Sequence, residues 1–148
     1  MNTTSKSYFH NLISHSRFSK DTDVQQGCLE LLDYLIEKSN LDLETSFHFD
    51  ELRHCVSSQI DDEDFIYSVF YLTRSNINVL KQEFSAWKEI EQDYVFVEDK
   101  TIILEMLRDK EYANPFSGDS LSPEEFEEQV VTFFTPTYHF LEMKNVRI

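Results

Sequence analysis

Glycine, proline and cysteine are all scarce in this chain. Its 148 residues include two glycines and three prolines, which excludes glycine-rich phosphate loops and disfavours turn-dense β-sandwiches. The two cysteines, Cys28 and Cys55, each lie beside apolar residues in segments with helical spacing. We therefore expect a mostly helical protein whose thiols are reduced and buried, as is typical of cytoplasmic proteins.

Long apolar runs and catalytic motifs are also missing. No run approaches the ~20 apolar residues that a membrane-spanning helix needs, and the N-terminal stretch lacks the apolar centre of a secretory signal. The motifs GxSxG, CxxC and HExxH do not occur. We expect a cytoplasmic, non-enzymatic protein that needs no membrane, cofactor or metal ion.

Basic residues are few after the N-terminal stretch. Residues 1–20 contain Lys6, Arg17 and Lys20 without any acid, a net charge of +3, whereas residues 21–148 contain 28 acids and 10 bases, a net charge of −18. An acidic body of this kind repels nucleic acid and attracts basic partners. Solubility alone is the commoner meaning of an acidic surface, and it remains an alternative.

Apolar and aromatic residues are plentiful, at 41% and 14% of the chain, so a folded protein is expected. A chain of this length buries roughly two-thirds of its unfolded surface, which suits a single domain, 1–148, with one core. Asp21 or Asp23 is placed to begin a helix that ends near Ser39. Its apolar stripe consists of Val24, Cys28, Leu31, Leu32, Leu35 and Ile36.

The stretch from Phe47 to Val97 has a regular order of elements. Phe47 and Phe49 alternate with His48 as in a short strand, Asp50 is placed to cap a helix, and Asp61 or Asp62 to cap another. The second helix would bury one face, made of Phe65, Ile66, Val69 and Phe70. Two β-prone segments then follow, around residues 79–86 and 94–97, separated by the polar residues 88–93.

This order of elements resembles a winged helix-turn-helix over residues 23–97. The resemblance implies an α+β, mostly helical fold: a winged-helix-like core with a small β-ribbon and additional N- and C-terminal helices. Residues 1–22 would then be a basic N-terminal arm and residues 98–148 a C-terminal helical extension. In such a domain the second helix of the motif usually enters the DNA major groove.

The C-terminal extension contains one ambiguous segment and one clear signal. Residues 99–112 combine strand-forming and helix-forming residues, and we predict a helix. Ser122, Pro123 and Glu125 match a capping box that opens a helix. The apolar residues Phe126, Val130, Phe133 and Phe134 predict that this helix continues to Thr135-Pro136.

The presumed recognition helix begins with Asp61, Asp62, Glu63 and Asp64, where a DNA-binding protein would need to meet phosphates. The presumed wing offers Lys88 against Glu89, Glu91 and Asp93. We therefore expect no direct binding to nucleic acid and predict a protein partner with a basic surface. The predicted partner-binding residues are Asp61, Asp62, Glu63, Asp64 and Trp87.

Small acidic proteins of this pattern resemble accessory subunits encoded beside larger ATPases or nucleases, including those of microbial anti-phage defence systems. That resemblance implies an acidic, non-enzymatic protein–protein interaction module. Two alternatives stay open: a DNA-binding transcriptional regulator, and an acidic inhibitor whose carboxylates imitate the phosphates of nucleic acid. The sequence does not predict an oligomeric state.

Overall fold

The computed structural model describes residues 3–14, 22–38 and 40–145, with side chains from residue 8 onward. The described part is a mixed α+β protein with a three-stranded antiparallel sheet. The helices are α1 (Thr3–Ser14), α2 (Thr22–Glu37), α3 (Phe49–Arg53), α4 (Asp62–Tyr71), α5 (Lys100–Asp109), α6 (Pro123–Gln129) and α7 (Tyr138–Lys144). The strands are β1 (Leu80–Lys88), β2 (Asp93–Phe96) and β3 (Val130–Pro136).

The chain divides into two compact units. The helical unit comprises Met1–Lys81 and Phe134–Ile148, and the sheet unit comprises Gln82–Phe133. Each unit has its own cluster of buried apolar side chains. The expectation of one core is therefore corrected to two clusters.

The helical unit is built on the apolar stripe of α2. All six predicted stripe residues are buried, which confirms that part of the sequence analysis, and Leu32 is fully buried as predicted. Helix α4 packs against α2 and buries Val69. Helix α1 packs against α2 and α7, where the rings of Phe9 and Phe140 lie 5.2 Å apart between centroids.

The sheet unit packs two helices on one face of the sheet. The strand order is β2-β1-β3, and antiparallel pairing places Ser85 opposite Phe96 and Trp87 opposite Tyr94. Phe84 and Ala86 lie on the other face of β1 from Ser85 and Trp87, and they belong to the apolar cluster of the sheet unit. The other buried members are Val97, Ile103, Phe126 and Val130. Helix α5, predicted within residues 99–112, is confirmed and is capped by Asp99, whose carboxylate accepts from the Thr101 backbone N–H.

The predicted last helix is too long. The capping box is confirmed, because Ser122 accepts from the Glu125 backbone and Glu125 accepts from the Ser122 backbone. However, the helix ends at Gln129 and residues 130–136 form β3. The C-terminal extension is therefore not wholly helical, since its run of Val, Thr and Phe residues completes the sheet.

Three details in and before α4 also differ from expectation. Phe47 forms an isolated bridge with Phe134 rather than part of a strand, and Phe49 is already the first residue of α3. His48, not Asp50, occupies the N-cap position of that helix. In α4, Ile66 and Phe70 are partly exposed instead of buried.

The structure describes only part of the predicted basic arm. Arg17, Lys20 and Asp21 lie outside the described residues, and for Lys6 only the helical backbone is described. Thr22 begins α2, so Asp23 lies in the first turn of the helix and not before it. The predicted end at Ser39 also falls outside the described residues, and α2 ends at Glu37.

Candidate partner-binding surfaces

The first predicted surface is the acidic start of α4, in the helical unit. Asp61 has an extended backbone conformation, and its carboxylate accepts a 2.8 Å hydrogen bond from the Asp64 backbone N–H. This is the arrangement of an N-cap, which satisfies a donor that the helix itself leaves unpaired. Asp61 is therefore a structural residue whether or not it meets a partner.

Asp62 is held by an arginine from α3. The Arg53 Nε lies 3.0 Å from Asp62 Oδ1, although the Asp62 side chain is 89% exposed. The same guanidinium donates to the carbonyl oxygen of Ile60 at 2.7 Å and lies over the Phe65 ring. Arg53 thus fixes the loop before α4 and neutralises part of its charge.

Glu63, which follows Asp62, is also exposed. Asp64 is half-buried. The acidic start of α4 is therefore accounted for largely by capping and by the pair with Arg53. Acids in the first turn also interact favourably with the helix dipole.

The second predicted surface surrounds Trp87, in the sheet unit. The Trp87 indole Nε1 donates a 2.8 Å hydrogen bond to Glu89 Oε2, and its ring meets Tyr94 edge-on with 5.4 Å between centroids. Hydrogen bonds from Trp87 and Gln92 lower the pKa of Glu89. A fixed, ionised carboxylate therefore lies beside the indole at the end of the β1–β2 hairpin.

Trp87 belongs to a larger aromatic surface. Residues directly opposite each other on paired strands project to the same side of a sheet, so Tyr94 joins Trp87, and Phe96 lies across the small Ser85. The Phe96 ring also lies 6.4 Å from that of Phe133. We call Trp87, Tyr94, Phe96 and Phe133 the aromatic face.

The outer part of the aromatic face is accessible to solvent. Tyr94 and Phe96 on β2 are 45% and 48% exposed, whereas Trp87 and Phe133 are half-buried behind them. The Tyr94 hydroxyl donates to the carbonyl oxygen of Glu128 at 2.6 Å, which fixes the ring in place. Exposed, positioned aromatic rings are the side chains that most often anchor protein interfaces.

The sheet unit, which carries the aromatic face, is strongly acidic. Residues 82–133 contain 14 acids and four bases, a net charge of −10 out of −15 for the whole chain. At the hairpin end, Lys88 pairs with Glu91 at 3.5 Å and lies over the Phe116 ring. The side chain of Ile90, which lies between Glu89 and Glu91 in the sequence, is 92% exposed.

The structure thus distributes the predicted partner-binding residues over two units. Asp61, Asp62, Glu63 and Asp64 belong to the helical unit, and Trp87 belongs to the sheet unit. Sequence reasoning missed Tyr94, Phe96 and Ile90. The alternation of Asp93, Tyr94, Val95 and Phe96 was the available signal, because it places both aromatic rings on one side of a strand.

The described residues offer little else for chemistry. They contain no group of three or more His, Cys, Asp or Glu side chains arranged to hold a metal ion, and no helix among them is long and apolar enough to cross a membrane. Both cysteines are free thiols. Burial raises the pKa of Cys28 to about 12, so this thiol is a poor nucleophile in the folded protein.

One groove of about 200 Å³ lies within the sheet unit. It is lined by Phe84, Leu107, Tyr112, Pro123, Phe126, Glu127, Val130 and Thr132. Glu127 is the one carboxylate in this mostly apolar lining.

No protein-family model, curated protein or solved structure matches this chain. The surfaces of the protein are distinguished by their own geometry and charge. By these two criteria the aromatic face is the stronger candidate, because its exposed rings have no capping role to account for them.

Proposed function

We propose that this protein is an acidic, non-enzymatic interaction module that binds a basic protein through the aromatic face. The observation that carries the proposal is the pair of half-exposed rings, Tyr94 and Phe96, within a unit of net charge −10. Aromatic side chains supply binding energy at interface centres, and surrounding charges select the partner and speed its approach.

The charge favours a protein partner over nucleic acid. Base stacking on aromatic rings requires nearby cations to hold the phosphates. Lys88, the basic residue at the hairpin end, is already paired with Glu91. A basic protein surface would instead complement Glu89 and Asp93 without any change in the fold.

We further propose that residues 23–97 are a winged-helix-like core adapted to protein contacts. The order α2, α3, α4, β1, β2 supports this proposal, because it is the order of helices and strands that such a core would have. The cellular setting we propose is the cytoplasm, as an accessory subunit of a larger complex such as an anti-phage defence assembly.

The test compares two truncations of exposed rings. Phe96→Ala removes part of the aromatic face, and Tyr67→Ala removes a 57% exposed ring from α4 as the matched control. Wild type and both variants are immobilised and exposed to native lysate at low and high salt. Retained proteins are then identified by mass spectrometry.

We expect wild type and Tyr67→Ala to retain the same basic protein, and Phe96→Ala to weaken its binding at least about tenfold. Thermal melts establish that both variants stay folded. Equal retention by Phe96→Ala and wild type would refute the assignment of the aromatic face. If the retained protein is a nuclease that loses activity, the phosphate-imitating inhibitor becomes the better description.

A further inference from the structure

Strand β2 forms one edge of the sheet, because the strand order is β2-β1-β3. In an antiparallel pair, directly opposite residues alternate between hydrogen-bonded and non-hydrogen-bonded positions. The Val97 N–H donates to the carbonyl oxygen of Phe84 at 2.9 Å, and these two residues continue the register of the ladder. The backbone N–H and C=O of Val95 therefore form hydrogen bonds with β1, whereas those of Tyr94 and Phe96 point to the outer edge.

This edge is short, at four residues, which is one form of protection for a sheet edge, but other usual forms are missing from it. Exposed edge strands are commonly blocked by lysine, proline or a bulge. The sequence of β2, Asp93 to Phe96, has no lysine or proline, and its register with β1 is continuous. The Asp93 carboxylate accepts from the Tyr94 N–H at 2.8 Å, but it does not cover the N–H or C=O of Phe96.

The charge of the edge indicates what can pair with it. Glu89, Glu91 and Asp93 precede the exposed rings, and Glu98 and Asp99 follow them. A second copy of the chain would bring the same acids together, and like charges across an interface oppose association. An extended segment that alternates apolar and basic residues would meet both the rings and the carboxylates.

We propose that an extended basic segment of the partner adds as a further strand along the outer edge of β2. This inference rests on the proposed function and specifies how the partner binds. Backbone hydrogen bonds to Phe96 hold the segment, as in other cases of strand addition. Its apolar side chains cover Tyr94 and Phe96, and its basic side chains face the flanking acids.

The probe is a synthetic peptide of alternating lysine and valine, added to the isotope-labelled full chain. Two further peptides carry N-methyl groups, one on the valine amides and the other on the lysine amides. Each therefore lacks the backbone N–H donors of every second residue. A peptide alternating glutamate and valine is the charge control. Binding is followed by NMR, and amide hydrogen exchange is measured at Phe96, with Val95 as the internal reference.

We expect the lysine peptide to bind and to slow exchange at Phe96 at least about tenfold, with little change at Val95. One N-methylated peptide should bind at least about tenfold more weakly, because its donors faced β2, and the other should bind as the parent does. The glutamate peptide should not bind. Together these results would establish strand addition by a basic segment.

Equal binding by both N-methylated peptides would overturn strand addition, while salt-sensitive binding would leave the proposed function standing. If no lysine peptide bound while a partner was still captured from lysate through Phe96, strand addition would again be overturned and the proposed function would again stand. Concentration-dependent dimers that protect Phe96 without peptide would overturn the basic segment in favour of a second copy. The absence of any salt-sensitive partner in the lysate experiment would instead refute the proposed function itself.

Discussion

Gly27 shows how a single residue sets the distance between two helices. A Cβ at this position of α2 would lie 2.3 Å from the Ser68 hydroxyl oxygen and 3.0 Å from the Ser68 Cβ on α4. The same hydroxyl lies within hydrogen-bond distance of the carbonyl oxygens of Val24, at 3.1 Å, and Asp64, at 2.7 Å. Ser68 is therefore held in place and cannot easily move aside.

We predict that Gly27→Ala destabilises the protein, although alanine is the better helix former. The gain in helix propensity is about 1 kcal/mol, and overpacking of this kind costs about 1 to 3 kcal/mol, so a net loss of about 1 kcal/mol is expected. Urea unfolding of Gly27→Ala and of the exposed control Gln26→Ala measures it. The loss should shrink in a Ser68→Ala background, and an unchanged loss there would show that Ser68 is not the obstacle.

The two cysteines should differ in reactivity. Burial raises the pKa of both thiols, to about 12 for the fully buried Cys28, whereas Cys55 is only half-buried. Because the thiolate is the reactive form, a thiol reagent at pH 8 should modify Cys55 slowly and Cys28 only after unfolding. Mass spectrometry with and without denaturant measures this, and Cys55→Ser should then show no native modification.

The same pKa shift predicts a pH dependence of stability. In the unfolded chain Cys28 ionises near its ordinary pKa of 9.0, well below its folded value of about 12. The contribution of the neutral thiol is therefore complete below pH 9 and is lost as the pH rises toward 12. Rapid modification of Cys28 in the native state would contradict both its predicted low reactivity and the pH dependence derived from its raised pKa.

At the scale of elements, α4 allows capping to be separated from partner binding. Asp61 and Glu63 are both exposed, but it is the Asp61 carboxylate that accepts the hydrogen bond capping the helix. We predict that Asp61→Ala lowers the free energy of unfolding by about 1 kcal/mol, and that Asp61→Asn preserves most of it because asparagine also caps well. Glu63→Ala is the matched control and should change stability by less than about 0.5 kcal/mol.

Urea unfolding decides between these roles. An Asp61→Ala variant as stable as wild type would show that the cap is dispensable and that all of these acids are available to a partner. Conversely, the expected loss means that binding experiments should leave Asp61 intact. Neutralising Asp62 and Glu63 then changes the charge of this surface without removing the cap.

Patterns of neighbouring residues correctly predicted a helix start and a helix face that depend on those residues alone. The capping box at Ser122 and the stripe of α2 could be read from residue type and spacing alone. The change from α6 to β3 at Val130 could not, because Phe126, Val130 and Phe134 fit a helical stripe equally well. Pairing with β1, which is distant in the sequence, decides in favour of a strand.

The candidate site shows the same division. Trp87 was named from the sequence as a partner-binding residue, and its ring lies on the aromatic face, beside that of Tyr94. Tyr94 and Phe96 join it only through the register of β2 with β1. Likewise, the pair between Arg53 and Asp62 depends on the fold of the intervening loop. Charge composition alone could not separate capping acids from accessible ones.

At the scale of the whole molecule, the net charge of −15 is carried mainly by the sheet unit. We predict that the isolated protein does not bind duplex DNA at physiological salt with a Kd below about 1 μM, because binding there depends on neutralising phosphates. Gel shifts with duplexes of mixed sequence measure this. A tight, salt-sensitive shift would favour the transcriptional-regulator alternative.

The last prediction concerns the rate at which the partner of the lysate experiment is captured. A net charge of −15 exceeds the magnitude of about 2 to 8 that suffices to keep a small domain soluble. If the excess acts in recognition, opposite charges should raise the association rate, and salt should remove the gain. The Debye length falls from about 10 Å at 0.1 M to about 3 Å at 1 M salt.

Two charge-neutralised variants locate the responsible acids. Glu91→Gln with Glu98→Gln changes the surroundings of the aromatic face, and Asp62→Asn with Glu63→Gln changes the start of α4. We expect the first pair to slow association more than the second at low salt, with the three rates converging at 1 M salt as screening becomes complete. Rates that are equal for all three proteins and independent of salt would contradict electrostatic recognition, and binding would then depend on the aromatic rings alone.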